Sequence, residues 1–370
     1  MPSLSSRPWS ARRRPLFASA SASAVSLSIA VFFGIATTEC HRPALTATER
    51  HGQELYARTC AVCHGPNGEG YAADQAPALA QPDFLASVSD DFLRSAITTG
   101  RTGTTMSAWG TAQGGPLSPS DVDAVIARLR SWSRAPRAVL DERPLAGSIP
   151  VGSGVYGSRC ASCHGTNGMN GTNIHIGNHD LLASASDGFL RYAIARGRPG
   201  TAMPAFEAAI GKDGVENVVA LLRSWASAPA PPLQRPPPVS PLPLGPVPLN
   251  PHGPAAEGFT PRPGTTPADK VKAELDRGAR MAILDARAPQ DYVNEHIAGA
   301  VSVPFYDPAH YFPDLPKDAW LVCYCACPHA ESGQLATKLV AAGFKQVTVL
   351  DEGLGVWRGR KYPTHTGPTP

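Results

Sequence analysis

The sequence lacks the charge imbalance that binding to nucleic acid requires. Its 370 residues carry 33 Lys and Arg against 30 Asp and Glu, a formal net charge of +3 at pH 7. It also has no basic stripe interleaved with aromatic side chains, so we exclude nucleic acid as a partner. Met is scarce, with five residues in the chain, which makes the place of each one informative.

The cysteines lack the even framework of distant pairs that a disulfide scaffold needs. Of the eight, Cys40 is isolated, four form two close pairs, and three lie together at Cys323, Cys325 and Cys327. Gly and Pro are abundant instead, at 35 and 38 residues, which predicts many turns and at least one long linker. The chain length predicts two or three domains.

The most specific motif is a Cys-x-x-Cys-His pentapeptide at residues 60–64, which recurs at residues 160–164. One helical turn places both sulfurs on the same side of the backbone and lets the following His point at a metal. This is the attachment signature of c-type haem, in which two thiols bond the porphyrin edge and the His takes an axial position. A single copy could also be a redox dithiol or half a zinc site, whereas two copies favour haem. The predicted attachment residues are Cys60, Cys63, Cys160 and Cys163, and the predicted axial histidines are His64 and His164.

Residues 1–40 are predicted to be a targeting segment. Arg12, Arg13 and Arg14 precede an uncharged stretch of apolar and small residues at 16–36, a pattern typical of a secretory signal or an uncleaved anchor. Cys40 follows and resembles a lipoprotein acceptor, although Glu39 stands where such sites have a small residue. We therefore expect export to the periplasmic side, and we leave open membrane association through the segment or through a lipid.

An internal repeat surrounds the two pentapeptides and predicts two all-α domains, at residues 46–135 and 151–228. In each, a short Phe-Leu-Arg helix, a loop with a Met and a closing helix that ends in Leu-Arg-Ser-Trp follow the pentapeptide. In the first domain, Ser118 is the predicted N-cap of the closing helix, with Pro119 in its first turn and Asp121 completing a capping box.

Both domains resemble class I cytochromes c. The resemblance implies that Met106 and Met203 supply a thioether to the second face of each iron, which gives two covalently bound haem c groups. A core position is the alternative for either Met. The resemblance also implies that the carbonyl of Pro77 steadies His64. The second domain has a different loop, in which His175 or His179 could compete as sixth ligand, but we expect both to be solvent-exposed.

The rest of the chain is predicted to be a linker and a third domain. Residues 229–265 are rich in Pro and nearly free of charge, which is typical of an extended, semi-rigid spacer. Within residues 266–362, strands predicted at 282–287, 320–325 and 346–350 alternate with helices, which predicts an α/β domain with a parallel sheet.

The third domain resembles a rhodanese domain. The matching residues are Asp285 and Arg287, a Tyr-x-x-x-His-Ile-x-Gly-Ala run at 292–300, Tyr324 and Cys325, and a Gly-x-x-x-Trp at 353–357. The resemblance implies that Cys325 is the catalytic residue and carries a persulfide within a loop of backbone N–H groups at a helix N-terminus.

The loop after Cys325 leaves several chemistries open. Glu331 stands where related phosphatase loops place an anion-binding Arg, and a carboxylate there would repel thiosulfate and raise the pKa of the cysteine. A metal site formed by the three cysteines with His329 is a lesser alternative, since Cys323 and Cys325 face one side of the sheet. A regulatory disulfide between Cys325 and Cys327 is another.

Together these features predict an exported dihaem electron carrier linked to sulfur-compound oxidation through its rhodanese-like domain. Its expected partners are redox proteins and a small sulfur anion. The alternative is a simple electron shuttle whose third domain is a non-catalytic docking or sulfur-sensing module.

Overall fold

A computed structural model describes residues 44–226, 242, 244–326 and 329–370. The predicted targeting segment with Cys40, residues 229–241 of the predicted linker, and Cys327 lie outside the described residues. From Leu45 onward, the described residues belong to one compact unit. None of the described helices has the length and apolar character needed to cross a bilayer.

The first helical domain is built around the crossing of its first and last helices. Its helices are α1 (Ala47–Thr59), α2 (Ala61–His64), α3 (Pro82–Ser87), α4 (Asp90–Thr99) and α5 (Pro119–Ser131). The predicted capping box at the start of α5 is confirmed, because Ser118 accepts from the backbone N–H of Asp121 and the Asp121 carboxylate accepts from that of Ser118. Val122, Val125 and Leu129 form the buried face of this helix.

The second helical domain repeats this arrangement. Its helices are α6 (Ile149–Arg159), α7 (Ala161–His164), α8 (His179–Ser184), α9 (Asp187–Arg196) and α10 (Glu207–Ala226), the last with a kink at Gly211, where φ is +70°. Even the aromatic packing is repeated, since Tyr56 meets Trp132 edge-on at 5.0 Å between centroids and Tyr156 meets Trp225 at 5.0 Å. The structure thus supports duplication of one unit.

A glycine lies at the helix crossing in each domain. A methyl group on Gly52 of α1 would overlap with the carbonyl oxygen of Ala124 in α5, and one on Gly152 of α6 would overlap with that of Asn217 in α10. The two helices can approach this closely only because neither glycine has a side chain. The crossing holds the helix that precedes each pentapeptide against the closing helix.

The two helical domains pack through equivalent helices, α3 against α9 and α4 against α8. Phe92 and Phe189 meet at 5.3 Å between centroids. Hydrogen bonds also cross this interface: the backbone N–H of Thr102 donates to Asp180 Oδ2 at 2.8 Å, and Asn178 Nδ2 donates to the carbonyl of Thr102 at 2.8 Å. Because α3 corresponds to α8 and α4 to α9, the interface is approximately symmetric.

The C-terminal domain has a parallel sheet in the order β1-β6-β5-β2-β4. These strands are β1 (Thr265–Thr266), β2 (Met281–Asp285), β4 (Ala300–Ser302), β5 (Trp320–Tyr324) and β6 (Val347–Leu350), and a separate antiparallel pair is formed by β3 (His296–Ile297) and β7 (Thr364–His365). The helices are α11 (Ala268–Asp276), α12 (Pro289–Asn294), α13 (Ala330–Ala341) and α14 (Gly353–Gly359).

The predicted fold class, two all-α domains followed by an α/β domain with a parallel sheet, is confirmed. The three predicted strands correspond to β2, β5 and β6. The edge strands β1 and β4 were not predicted, because strands of two or three residues are too short to show a pattern. An ion pair follows β2, with Arg287 Nη2 at 2.6 Å from Asp285 Oδ2.

The described part of the predicted linker contacts the C-terminal domain through a few apolar residues. Leu242 is fully buried, and its carbonyl accepts a hydrogen bond from Tyr311. Phe259 packs edge-on against Trp320 at 5.4 Å between centroids. The apolar residues scattered among the prolines therefore anchor this segment to the C-terminal domain, an effect that composition alone does not reveal.

Replacing Gly152 by Ala should destabilise the protein by about 1–3 kcal/mol, the usual cost of overpacking, because the methyl group overlaps with α10. Gly154→Ala is the matched control in the same helix, where nothing lies within 4 Å of the added methyl. That variant should be neutral or more stable by about 0.5–1 kcal/mol, since Ala favours helix over Gly. Urea unfolding followed by circular dichroism measures both. Equal effects would contradict the close crossing.

Candidate functional site

Each pentapeptide forms a single helical turn that continues from the preceding helix. Cys60 keeps a right-handed helical backbone, α2 follows, and Gly65 ends the turn with φ +77°. In the second domain, Cys160 and Gly165, with φ +79°, take the same places. The predicted geometry of two cysteines and a following His on one turn is therefore present in both domains.

The predicted axial histidines are oriented by backbone carbonyls. His64 Nδ1 donates to the carbonyl of Pro77 at 2.9 Å, and His164 Nδ1 donates to that of Ile174 at 3.0 Å. A carbonyl can only accept, so Nδ1 carries the proton and Nε2 keeps the lone pair that can coordinate iron. Burial lowers the pKa of both imidazoles, which favours this neutral form. The sequence predicted the role of Pro77 but missed that of Ile174, because a backbone carbonyl carries no residue signature.

The two methionines occupy equivalent loops. The carbonyl of Met106 accepts from the backbone N–H of Arg101 at 2.9 Å, and its N–H donates to Thr104 Oγ1 at 3.1 Å. The carbonyl of Met203 accepts from Arg198 at 2.9 Å, and its N–H donates to Thr201 Oγ1 at 3.2 Å. A tight turn thus holds each thioether, and both side chains are half-buried.

One cavity of about 890 Å³ contains both predicted ligand sets. Its wall includes Cys60, Cys63, His64, Met106, Cys160, Cys163, His164 and Met203. Apolar side chains from α4 and α9 complete much of it, among them Leu93, Ile97, Leu190 and Ile194. Paired thiols, an imidazole with free Nε2 and a thioether within an apolar wall are the donor set of haem c, so the residues present fit this group.

The two alternative ligand histidines differ in position. His175 directly follows Ile174, whose carbonyl binds His164, so its backbone lies beside the axial His rather than in the Met203 loop. It lines the cavity, and its Nδ1 is buried without a hydrogen-bond partner among the described residues. His179 begins α8, with Nδ1 at 3.8 Å from Asp180 Oδ1, and its side chain is exposed on the surface.

The predicted persulfide residue, Cys325, directly follows β5 and is completely buried. Its Sγ lies 3.3 Å from Ser332 Oγ, at the start of α13, and its carbonyl accepts from the backbone N–H of Leu354 at 2.9 Å. The thiol therefore lies between the end of a strand and a helix N-terminus, where backbone N–H groups and the helix dipole favour negative charge.

Glu331 lies in the interior of the protein rather than in solvent. It is only 6% exposed, and burial raises its pKa well above the ordinary range, with the neighbouring Cys325 and Asp291 adding to the effect. The repulsion of thiosulfate expected from a carboxylate requires an ionised Glu331, whereas this environment favours the neutral acid. A charged carboxylate is expected at this position only if the Glu331 side chain is solvated.

The structure also bears on the proposed metal cluster. His329 Nε2 lies 2.8 Å from Asp351 Oδ1, and Cys323 is fully buried in β5, where burial raises its pKa. Within the part of the chain that is described, no three His, Cys, Asp or Glu side chains are grouped to hold a metal ion. Cys327 lies outside that part.

A junction with the C-terminal domain was not predicted. Ser107 Oγ, one residue after Met106, donates to Asp291 Oδ2 at 2.5 Å. Trp109 packs edge-on against Phe305 at 6.3 Å and Tyr306 at 5.5 Å between centroids. The second domain has Pro204 and Phe206 at the corresponding positions. This difference between the repeats is the one feature of the sequence that could have indicated the junction.

The junction brings the predicted persulfide loop to the first pentapeptide. Helix α13 packs against α2, and Ala326 and Glu331 line the same cavity as Cys63 and His64. The pKa of Cys63 is raised mainly by burial, and further by the nearby Glu331 and Cys325. Cys325 itself is not among the described residues that line the cavity.

Comparison with known proteins agrees with this architecture. Residues 47–127 and 147–222 match the family model described as cytochrome C oxidase, cbb3-type, subunit III, and residues 267–360 match that of the rhodanese-like domain. Thiosulfate sulfurtransferase GlpE of Pseudomonas fluorescens is 34% identical over 101 residues, which cover 27% of this chain and 88% of the relative. GlpE of Pseudomonas syringae pv. syringae is 33% identical over 103 residues, 27% of this chain and 91% of the relative.

Among solved structures, the chain is similar to the rhodanese-like domain of a protein from Anabaena sp., with 30% sequence identity and a TM-score of 0.26. The match covers 28% of this chain and 78% of the Anabaena chain. Cytochrome c domains imply covalently bound haem c, in agreement with the donor set described above. The chain therefore consists of two cytochrome c domains followed by a rhodanese-like domain.

Proposed function

We propose that this chain is an exported carrier of single electrons with two haem c groups, and that its rhodanese-like domain supplies electrons from a sulfur species held at Cys325. Bound haem supplies reversible one-electron chemistry at its iron. The chain contributes the attachment thiols, the axial imidazoles of His64 and His164, and the thioethers of Met106 and Met203. A thioether favours ferrous iron and raises the reduction potential.

The observation that carries the sulfur link is the shared cavity. The loop that follows Cys325 and the first pentapeptide line one cavity, with α13 packed on α2. Electron transfer needs short distances between donor and acceptor, and this packing supports the first haem as the acceptor. The contacts of Ser107 and Trp109 hold the Met106 loop against the same domain.

The chemistry of the loop supports a sulfur anion as ligand. The curated relatives are named thiosulfate sulfurtransferases, and we extend that substrate class to this chain as part of the proposal. Burial raises the pKa of Glu331, which favours the neutral acid and so weakens its repulsion of the anion. The N-terminus of α13 adds favourable backbone N–H groups.

Export is supported by the N-terminal sequence and by haem attachment. Three arginines followed by the apolar stretch at 16–36 are typical of a secretory signal. The families that these cytochrome c domains resemble acquire haem outside the cytoplasmic membrane. We propose a periplasmic location.

One observation favours a second candidate function. The Cys325 side chain is fully buried, so a sulfur donor reaches it only if the loop moves. Under this alternative, the rhodanese-like domain is a non-catalytic docking or sulfur-sensing module that positions a redox partner beside the first haem. The chain would then only carry electrons between partner proteins.

The wild-type polypeptide should retain two covalent haem groups after denaturation and acid-acetone extraction, one for each pentapeptide. Replacing both Cys160 and Cys163 by Ser should remove one of them, because no thiol remains in the second pentapeptide. The intact mass of the polypeptide measures both. Cys323→Ala, which removes a thiol far from either pentapeptide in sequence, is the control. A colourless wild-type product would refute haem attachment.

Met106→Ala and Met203→Ala should each abolish half of the weak near-infrared thioether–iron band, because each removes one axial sulfur. The double variant should lack the band. Met169→Ala is the control, since Met169 lies in a loop of the second domain and is not among the described residues lining the cavity. Absorption spectra of the oxidised protein provide the measurement. An unchanged band in either single variant would contradict that ligand assignment.

Cys325→Ser should abolish sulfane-sulfur labelling and slow the reduction of haem by thiosulfate or sulfide by at least about tenfold, the effect of about 1.4 kcal/mol on a barrier. The neighbouring Cys323→Ala, in the same strand region, should preserve both. Persulfide assays and stopped-flow absorption at the Soret band test this. If the wild-type protein carries no sulfane sulfur and both variants are reduced at its rate, the docking alternative is the better function.

A further inference from the structure

Two arginines occupy equivalent positions between the cytochrome c domains. Arg101 follows Gly100, which ends α4 with φ +67°, and Arg198 follows Gly197, which ends α9 with φ +64°. The backbone N–H of each donates to the carbonyl of the Met in its own loop, at 2.9 Å in both domains. Both side chains line the shared cavity.

Arg101 spans the domain interface. Its Nη1 donates to the carbonyl of Asp180 in the second domain at 3.2 Å, and its guanidinium lies 4.9 Å from the ring centroid of Phe92. The residue is 9% exposed, and Nη2 is buried with no hydrogen-bond partner among the described residues. Nη1 is therefore bound across the interface, whereas Nη2 has no acceptor among the described residues.

Arg198 contacts aromatic rings of both domains, and its Nη1 donates to the carbonyl of Gly197 at 3.1 Å. Its guanidinium lies 5.4 Å from the centroid of Phe189 and 6.0 Å from that of Phe84, which belongs to the first domain. Burial lowers the pKa of Arg101 and of Arg198 to about 10. The carboxylates of Asp180 and Asp83 lie near Arg101 and Arg198, respectively, and partly offset this effect of burial.

The other arginines in the cavity wall are either paired with a carboxylate or exposed to solvent. Arg287 is paired with Asp285 at 2.6 Å and Arg358 with Glu295 at 3.0 Å, whereas Arg159 is exposed. A buried guanidinium whose Nη2 has no acceptor is unfavourable, because burial removes its hydration. Arg101, with its unpartnered Nη2, and the half-buried Arg198 therefore form a place for anions.

We propose that Arg101 and Arg198 bind the carboxylates at the edge of the haem groups, and that both haems are thereby oriented by one interface between the two domains. This inference rests on the proposed function in which both pentapeptides carry haem. Haem brings two carboxylates to its cavity, and a guanidinium is well suited to bind a carboxylate with two parallel hydrogen bonds. The arginines are positioning residues, whose positive charge also raises the reduction potential of the nearby haem.

The test is spectroelectrochemical titration of the full-length, haem-loaded protein at pH 7. Arg101→Gln and Arg198→Gln should each make reduction of one haem less favourable by about tenfold in its equilibrium constant, which is about 59 mV for a one-electron couple. Arg101→Lys should retain most of the wild-type potential, because it keeps the charge. Arg94→Gln is the matched control: Arg94 lies on α4, is exposed and pairs with Asp123, so its loss should leave both potentials unchanged.

Unfolding by urea, measured in parallel, separates binding from packing. A merely structural role would lower stability without moving the potentials, and that result would overturn the inference, as would equal shifts in Arg94→Gln and Arg101→Gln. If Arg101→Gln does not accumulate, Arg198→Gln and Arg101→Lys decide the question. A wild-type protein with fewer than two haem groups by mass would contradict the proposed function. Two haem groups with potentials insensitive to both arginines would contradict this inference alone.

Discussion

The hydrogen bond from each predicted axial histidine to a backbone carbonyl is the interaction on which the proposed redox site depends. It fixes the proton on Nδ1 and leaves Nε2 for iron, at His64 through Pro77 and at His164 through Ile174. The bond can form only if the loop after the pentapeptide folds back over the helical turn. That turn is itself held by α1 or α6, which cross the closing helix at Gly52 and Gly152. The helix crossing thus positions the helical turn, and the turn and the loop together orient the histidine whose Nε2 would coordinate the metal.

Duplication explains more than the presence of two sites. Equivalent helices from the two domains pack against each other, and the arginine after each Met-loop glycine meets the opposite domain. The interface between repeats is therefore made from the segments that hold the methionines. Any change in how the domains pack acts on both ligand loops, which is the physical basis for treating the pair as one redox unit.

Divergence between the repeats is as informative as their similarity. Where the second domain has Pro204, the first has Ser107, which reaches Asp291 of the rhodanese-like domain. Trp109 replaces the smaller Phe206 of the second domain and fills the contact with Phe305 and Tyr306. Among the described residues, these contacts come from the first cytochrome domain, so the two pentapeptides are not equivalent with respect to the rhodanese-like domain.

The sequence by itself determined the domain order, the fold class, the pentapeptides and the capping box at Ser118, because these depend on residues close together in the chain. It also indicated which cysteines, histidines and methionines to consider as ligands. Tertiary structure alone decided that the carbonyl of Ile174 binds His164, that Leu242 and Phe259 are packed, and that Ala326 and Glu331 line a cavity with the first pentapeptide. It also changed the meaning of Glu331, since the charge of a carboxyl group depends on its solvation. Burial and contacts between distant residues arise from all domains packing together, and no local pattern records them.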